Sequence, residues 1–235
     1  MTFLVYVTGD LHGDVNRFKT PAAKKLGKGD TLLVCGDFGF LWDGSKIEQK
    51  FLQKLGEKKF NICFVDGCHE NFDLLSTYEV SEWNGGKVQH IIGNVYHLMR
   101  GQVFEIEGLR IFTMGGGESP DMEIRMENDN WSPAESPTQQ ELLEGAANIG
   151  RYDNAVDIVI THEPSAKVKE FLQMKSTNKQ RVTLLNTYFE ELAGAVDFKK
   201  WYFGSLHLDK PISATQVAVY TNILEAETGT NILQR

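Results

Sequence analysis

Asp10 and His12 stand two residues apart between Gly9 and Gly13, directly after an apolar, β-branched run at the N-terminus. An aspartate offers a hard anionic oxygen and a histidine a borderline nitrogen, and flanking glycines let the backbone turn sharply enough to aim both at one point. The chemistry this favours is metal ligation. Four later runs of strand-forming residues end in the same residue types. Thr31–Cys35 leads into Gly36-Asp37, residues 62–65 into Asp66-Gly67-Cys68-His69-Glu70, residues 156–160 into Thr161-His162, and residues 201–203 into Gly204-Ser205-Leu206-His207. One Asp or His after a strand is ordinarily a turn-former or a satisfied polar group. Five such ends, which take four of the six histidines, predict one shared site at the carboxyl ends of the strands of an α/β sheet. His90 and His97 lie in hairpin-like sequence and read as structural.

The elements that must carry these ends follow from periodicity. Residues 15–26, 47–55 and 72–78 read as helices between the strands, which makes the core α/β. Trp83-Asn84-Gly85-Gly86-Lys87 is a turn between apolar stretches, and Glu107-Gly108 separates residues 102–106 from 109–113 in a hairpin pattern. Both are assigned to a second sheet. Residues 114–131 turn Gly-rich and acidic and form the candidate lid over the site. Their triple glycine lacks the Gly-Lys-Ser/Thr ending of a phosphate-binding loop. Ser136-Pro137-Thr138-Gln139 then opens a helix in capping-box form. With no repeat, low-complexity tract or linker, residues 1–235 are expected to form a single domain.

Composition limits the function classes. At 235 residues and 41% hydrophobic, the chain is long enough for one large core. It has no charged region ahead of its N-terminal apolar run and no segment near the ~18–20 apolar residues of a membrane span, so a cytoplasmic protein is expected. Three cysteines fit a reducing compartment: Cys35 and Cys63 read as buried small hydrophobes, whereas Cys68 sits inside a motif. A net charge of −8 argues against a broad nucleic-acid surface. The basic stretch Lys167, Lys169, Lys175, Lys179 and Arg181 reads first as a solvated helix face and second as a track for an anionic substrate. Arg17, Asn71 and Arg125, each in or near a motif or the lid, are weaker candidates for touching phosphate.

Taken in order, Asp10-x-His12, Gly36-Asp37, Gly67-Cys68-His69-Glu70, the lone His162 and Gly204-Ser205-Leu206-His207 resemble the motifs of the calcineurin-like metallophosphoesterases, over nearly the whole chain. The resemblance implies a four-layer α/β/β/α sandwich of two mixed sheets flanked by helices. It implies one metal held by Asp10, His12, Asp37 and His207, and a second held by Asp37, Cys68, His162 and the position of Ser205. Two positions of the second set depart from the family pattern, because Cys68 replaces an Asn and Ser205 replaces a His. A thiol ligates well only as thiolate and favours softer ions, and a neutral hydroxyl is a poor ligand. The expectation is a tight first site and a weakened second one, with Mn²⁺ the leading ion and Zn²⁺ or iron the alternatives.

By the same resemblance His69 is the general acid that protonates the leaving oxygen. Related protein phosphatases place an Asp three residues after the second-motif Asp, and Phe40 occupies that position here. This argues against a Ser/Thr protein phosphatase of that kind and leaves Glu70 or Asp43 as sequence candidates for the carboxylate partner of His69. The expected activity is hydrolysis of a phosphomonoester or phosphodiester by metal-activated water. The alternative is a catalytically impaired relative that binds a phosphorylated ligand or partner, favoured by Cys68 and Ser205. Substrate and oligomeric state are not written in these motifs.

Overall fold

Alternation along the strands decides the architecture. In the computed structural model, which describes residues 3–128, 130–174, 176–177 and 179–234, strands β1 (Val5–Thr8), β2 (Thr31–Cys35) and β3 (Asn61–Val65) turn Tyr6, Leu32, Val34, Ile62 and Phe64 to one face and Val5, Val7, Leu33, Cys35, Cys63 and Val65 to the other. Both faces are apolar, so both must be covered. Asp129 of the Gly-rich segment and Lys175 of the basic stretch lie outside the described residues.

Strands β4 (Val80–Trp83), β5 (Gly86–Ile92), β6 (Val95–Leu98), β7 (Gln102–Ile106), β8 (Leu109–Met114), β9 (Ala155–Thr161), β10 (Asp197–Phe203), β11 (Lys210–Pro211), β12 (Gln216–Ala218) and β13 (Leu224–Glu225) complete two mixed sheets. The first runs β13-β1-β2-β3-β6-β5-β4 and the second β11-β12-β10-β9-β8-β7. β1, β2, β3 and β6 are mutually parallel, as are β8, β9, β10 and β12. The sheets meet through Val7, Leu33, Cys63, Phe104, Ile111, Ile158, Ile160 and Tyr202. Helices α1 (Pro21–Lys25), α2 (Lys46–Gly56) and α3 (Phe72–Ser76) cover the outer face of the first sheet. After the short α4 (Met122–Glu127), helices α5 (Gln139–Gly150), α6 (Ala166–Leu172) and α7 (Leu184–Ala195) cover the second with Ile149, Val168 and Phe189. The result is the expected α/β/β/α sandwich, and among the described residues no helix is long and apolar enough to cross a membrane.

Several local expectations need correction. Residues 15–26 are not one helix: a 3₁₀ turn at Val15–Lys19 stops at Thr20, whose side chain caps α1, and Pro21 restarts the chain at the first helical position. The β4–β5 hairpin joins the first sheet, because β6 adds parallel to β3 and draws β5 and β4 after it; only β7–β8 belongs to the second. The capping box of α5 is Thr138 with Glu141, and the Ser136 hydroxyl donates instead to the Gly117 carbonyl at 3.2 Å. Lys169 is not on a solvated face, since its buried Nζ donates to Glu163 (2.7 Å) and Asn186 (3.3 Å). Within 114–131, residues 122–127 are helical rather than irregular.

Candidate metal centre

The five strand ends converge. β1, β2 and β3 deliver Asp10, His12, Asp37, Cys68 and His69 from the first sheet, and β9 and β10 deliver His162 and His207 from the second. Ligand atoms of Asp10, His12 and His207 cluster within 4.8 Å, as do those of Asp37, Cys68 and His69, and those of Asp10, Asp37 and His162. His12 Nε2 lies 3.0 Å from His207 Nε2 and 3.8 Å from Asp37 Oδ2. His207 Nε2 lies 3.1 Å from Asp10 Oδ2, and His162 Nε2 3.8 Å from Asp37 Oδ1 and 3.7 Å from Cys68 Sγ.

Asp10 tests whether these residues fit a cation. It is fully buried, yet neither carboxylate oxygen accepts a hydrogen bond of acceptable geometry. A buried carboxylate without donors is costly unless it pairs with a charge or coordinates a metal. Its neighbours present imidazole nitrogens to the same point, and an oxygen-plus-nitrogen set of this kind suits a divalent ion. His162 adds an orienting contact, with Nδ1 3.1 Å from the Cys35 carbonyl, which turns Nε2 toward Asp37 and Cys68.

The backbone is bent to make this geometry. His12, Asp37 and His207 adopt φ of 46°, 42° and 51°, in a region L-residues rarely enter, and such strain gathers at functional sites. Gly36 is required twice over: its φ is 100°, and a Cβ there would strike the His162 ring. A Cβ on Gly204 would strike Asp10 Oδ1.

Charge is distributed unevenly. Burial opposes ionisation of Asp37, but His162 and the hydrogen bonds from His69 (backbone N–H 2.8 Å, Nδ1 2.9 Å) hold its carboxyl well below the usual range. Asp37, and next Cys68, push His69 up to about 11. Burial works against protonation of His162, yet Asp37 and Asp10 hold it well above the ordinary imidazole value. His12 goes the other way, lowered chiefly by burial.

The supporting shell reassigns several residues. Arg17 does not face the site: it donates to the Asp10 carbonyl (2.8 Å), Thr8 Oγ1 (3.0 Å) and the Tyr220 carbonyl, fixing the turn that carries Asp10. Asn71 caps α3, and Asp43 accepts from the Ser45 N–H. Glu70 accepts the Phe38 N–H at 2.7 Å, so it holds the Asp37 turn rather than His69. Asp209, missed in the sequence, accepts the backbone N–H groups of Tyr220, Thr221 and Asn222, and Tyr220 stacks on His207. The Ser205 Oγ is buried without a hydrogen-bond partner, and its N–H donates to the His162 carbonyl.

Arg125 is buried and ties α4 down through Glu135, Ser119 and the carbonyls of Cys68 and Asn130. Asp121, just ahead of α4, places Oδ1 3.5 Å from His69 Nε2. No motif marks it, and the only sequence signal is an acidic residue before a short helix. Beside it a cavity of about 840 Å³ opens between residues 118–124 on one side and Thr177, Lys179, Gln180, Arg181 and Thr183 on the other.

Residues 3–206 match the family model described as calcineurin-like phosphoesterase, a span that stops one residue before His207. No curated protein matches the chain significantly. Because that match covers most of the chain and its motif residues gather at one point from both sheets, the chain belongs to the calcineurin-like phosphoesterase family, whose members are metal-dependent phosphoesterases.

Proposed function

We propose that this chain is a cytoplasmic hydrolase of phosphomonoesters or phosphodiesters with Asp10, His12, Asp37 and His207 holding a tight metal, and Asp37, His162 and Cys68 holding a weaker one. The observation that carries this reading is the buried Asp10 carboxylate, free of hydrogen bonds and faced by His207 and His162. Divalent ions, with Mn²⁺ the first choice and Zn²⁺ or iron favoured if the Cys68 thiolate binds, supply water activation and neutralise charge on the phosphoryl oxygens.

The protein's own residues supply the rest. Asp37 holds His69 through Nδ1, which leaves Nε2 as the nitrogen facing Asp121, a residue that lines the cavity. As the ester P–O bond breaks, its electron pair stays on the leaving oxygen, and His69 gives that oxygen the Nε2 proton. The segment 114–131 serves as the lid, since its residues 118–124 line the cavity and its Arg125 donates to the Cys68 carbonyl. The substrate's leaving group occupies that cavity.

A second reading, a phosphate-ester binder with little turnover, rests on Cys68, a good ligand only as thiolate, and on Ser205, whose neutral hydroxyl is a poor metal ligand. The two readings separate on a chromogenic phosphodiester with Mn²⁺. Turnover that a chelator abolishes supports the hydrolase. No turnover from the natural chain, with activity appearing in the Cys68→Asn, Ser205→His double variant, supports the binder.

A further inference from the structure

We propose that Asp121 is the positioning carboxylate of His69, supplied by the segment ahead of α4 in place of the Asp that related phosphatases carry at the position of Phe40. The proposal rests on the reading of His69 as the group that protonates the leaving oxygen. Phe40 itself is unable to do this work: it is buried in the apolar cluster under the first sheet, 5.0 Å from the Phe38 ring.

Three observations converge on Asp121. First, its Oδ1 lies 3.5 Å from His69 Nε2, while His69 Nδ1 is already held by Asp37 at 2.9 Å. The imidazole is therefore bracketed by carboxylates on both nitrogens, which fixes the plane of the ring. Second, Asp121 occupies the N-cap position of α4, where an aspartate ordinarily accepts a backbone N–H of the first turn, yet its side chain makes no capping bond and Oδ1 is buried with no hydrogen-bond partner. The carboxylate forgoes its local partner and is turned to the histidine instead. Third, α4 is anchored rigidly, because Arg125 binds Glu135 and reaches the carbonyl of Cys68, the residue immediately before His69. The helix that carries Asp121 and the loop that carries His69 are thus locked to each other by a buried guanidinium.

The separation of 3.5 Å is long for a committed hydrogen bond. It leaves the Nε2–H free for a closer acceptor, the leaving oxygen, while the carboxylate restricts the orientation of the ring. Asp121 also lines the 840 Å³ cavity together with Met122, Lys179 and Arg181, so the same residue borders the histidine and the space the leaving group would fill.

The test compares the Mn²⁺-loaded wild-type chain with Asp121→Ala and Asp121→Glu on two phosphodiesters. One has a nitrophenyl leaving group, which departs without a proton, and the other has an alkyl leaving group, which needs one. The proposal expects Asp121→Ala to lower kcat on the alkyl ester by at least ~10²-fold and to change the nitrophenyl ester by less than ~3-fold, with Asp121→Glu recovering part of the alkyl activity. Equal losses on both esters would overturn it. Because Asp121 makes no capping bond, its removal is expected to leave the fold intact, which circular dichroism checks. Nitrogen NMR of the histidine rings supplies an arm that needs no turnover. A changed Nε2 resonance of His69 in Asp121→Ala, restored toward wild type in Asp121→Glu, supports the contact, and an unchanged resonance overturns it. If the wild-type chain hydrolyses neither ester but the resonance responds, the proposed activity fails while the positioning role stands.

Discussion

Asp10 and Asp66 make an instructive pair. Both follow parallel strands of the first sheet, both are buried almost completely, and each faces a histidine. Asp66 is satisfied: Oδ1 lies 3.1 Å from His97 Nε2, Oδ2 accepts from Arg100, and His97 Nδ1 reaches Gln89 at 2.8 Å. Asp10 has histidines at comparable distances but no hydrogen bond, and its surroundings include three residues at strained φ. A completed network of this kind is a fastener, whereas a buried carboxylate whose neighbours converge without bonding to it is a candidate cation ligand. Burial and residue type alone do not separate the two.

The largest effect expected from this contrast is on chemistry. Asp10→Asn should lower metal-dependent turnover by at least ~10³-fold, as the loss of several kcal/mol of metal-derived stabilisation implies. It should change the stability of the metal-free fold less than Asp66→Asn does, because Asp10 faces His207 and His162 but accepts no hydrogen bond from them. Steady-state kinetics and metal-free thermal unfolding read the two halves. Asp66→Asn should do the reverse. It strands Arg100 beside a neutral partner and should cost roughly 3–5 kcal/mol in urea unfolding, with metal affinity within a few-fold of wild type.

Metal linkage sharpens the comparison. At a hundredfold excess over Kd, a divalent ion should stabilise wild type and Asp66→Asn by about 2.7 kcal/mol. It should stabilise Asp10→Asn far less, a difference seen by scanning calorimetry. If Asp10→Asn keeps the full increment, Asp10 is not a ligand.

Acid separates the two sites in a different way. Burial opposes ionisation of Asp66, but Arg100 and His97 hold its carboxyl well below the usual range. Its folded value is therefore depressed, so its contribution is present above the unfolded value of about 3.9 and is lost as pH falls through the folded value. Metal-free wild type should lose stability below about pH 4 more steeply than Asp66→Asn, as followed by circular dichroism during acid titration. The smallest effect is expected at the second metal. Cys68→Asn with Ser205→His should tighten binding of a second equivalent by about tenfold, the scale of a ligand-shell change, in isothermal titration.

The residues that converge from the two sheets were legible as candidates because each stands at a strand end with a distinct local signature, and five signatures in order leave few arrangements. What the sequence hid depends on tertiary placement. Arg125 and Lys169 look like surface cations in a linear reading and prove to be buried clamps, because their acidic partners Glu135 and Glu163 become neighbours only after folding. The β4–β5 hairpin was recognisable as a hairpin, but its sheet is set by the pairing of β6 with β3. Asp121 lies 52 residues beyond His69 with no motif around it, and only the docking of α4 brings the two together.

The most direct test of the central claim is hydrolysis of a nitrophenyl phosphodiester by the purified chain, first freed of metal and then supplied with Mn²⁺, beside Asp10→Asn treated identically. The account predicts no turnover without metal, turnover on adding Mn²⁺, and loss of that response in Asp10→Asn. A Mn²⁺ response preserved in Asp10→Asn, or its absence from a wild-type chain shown to have bound the ion, would contradict it.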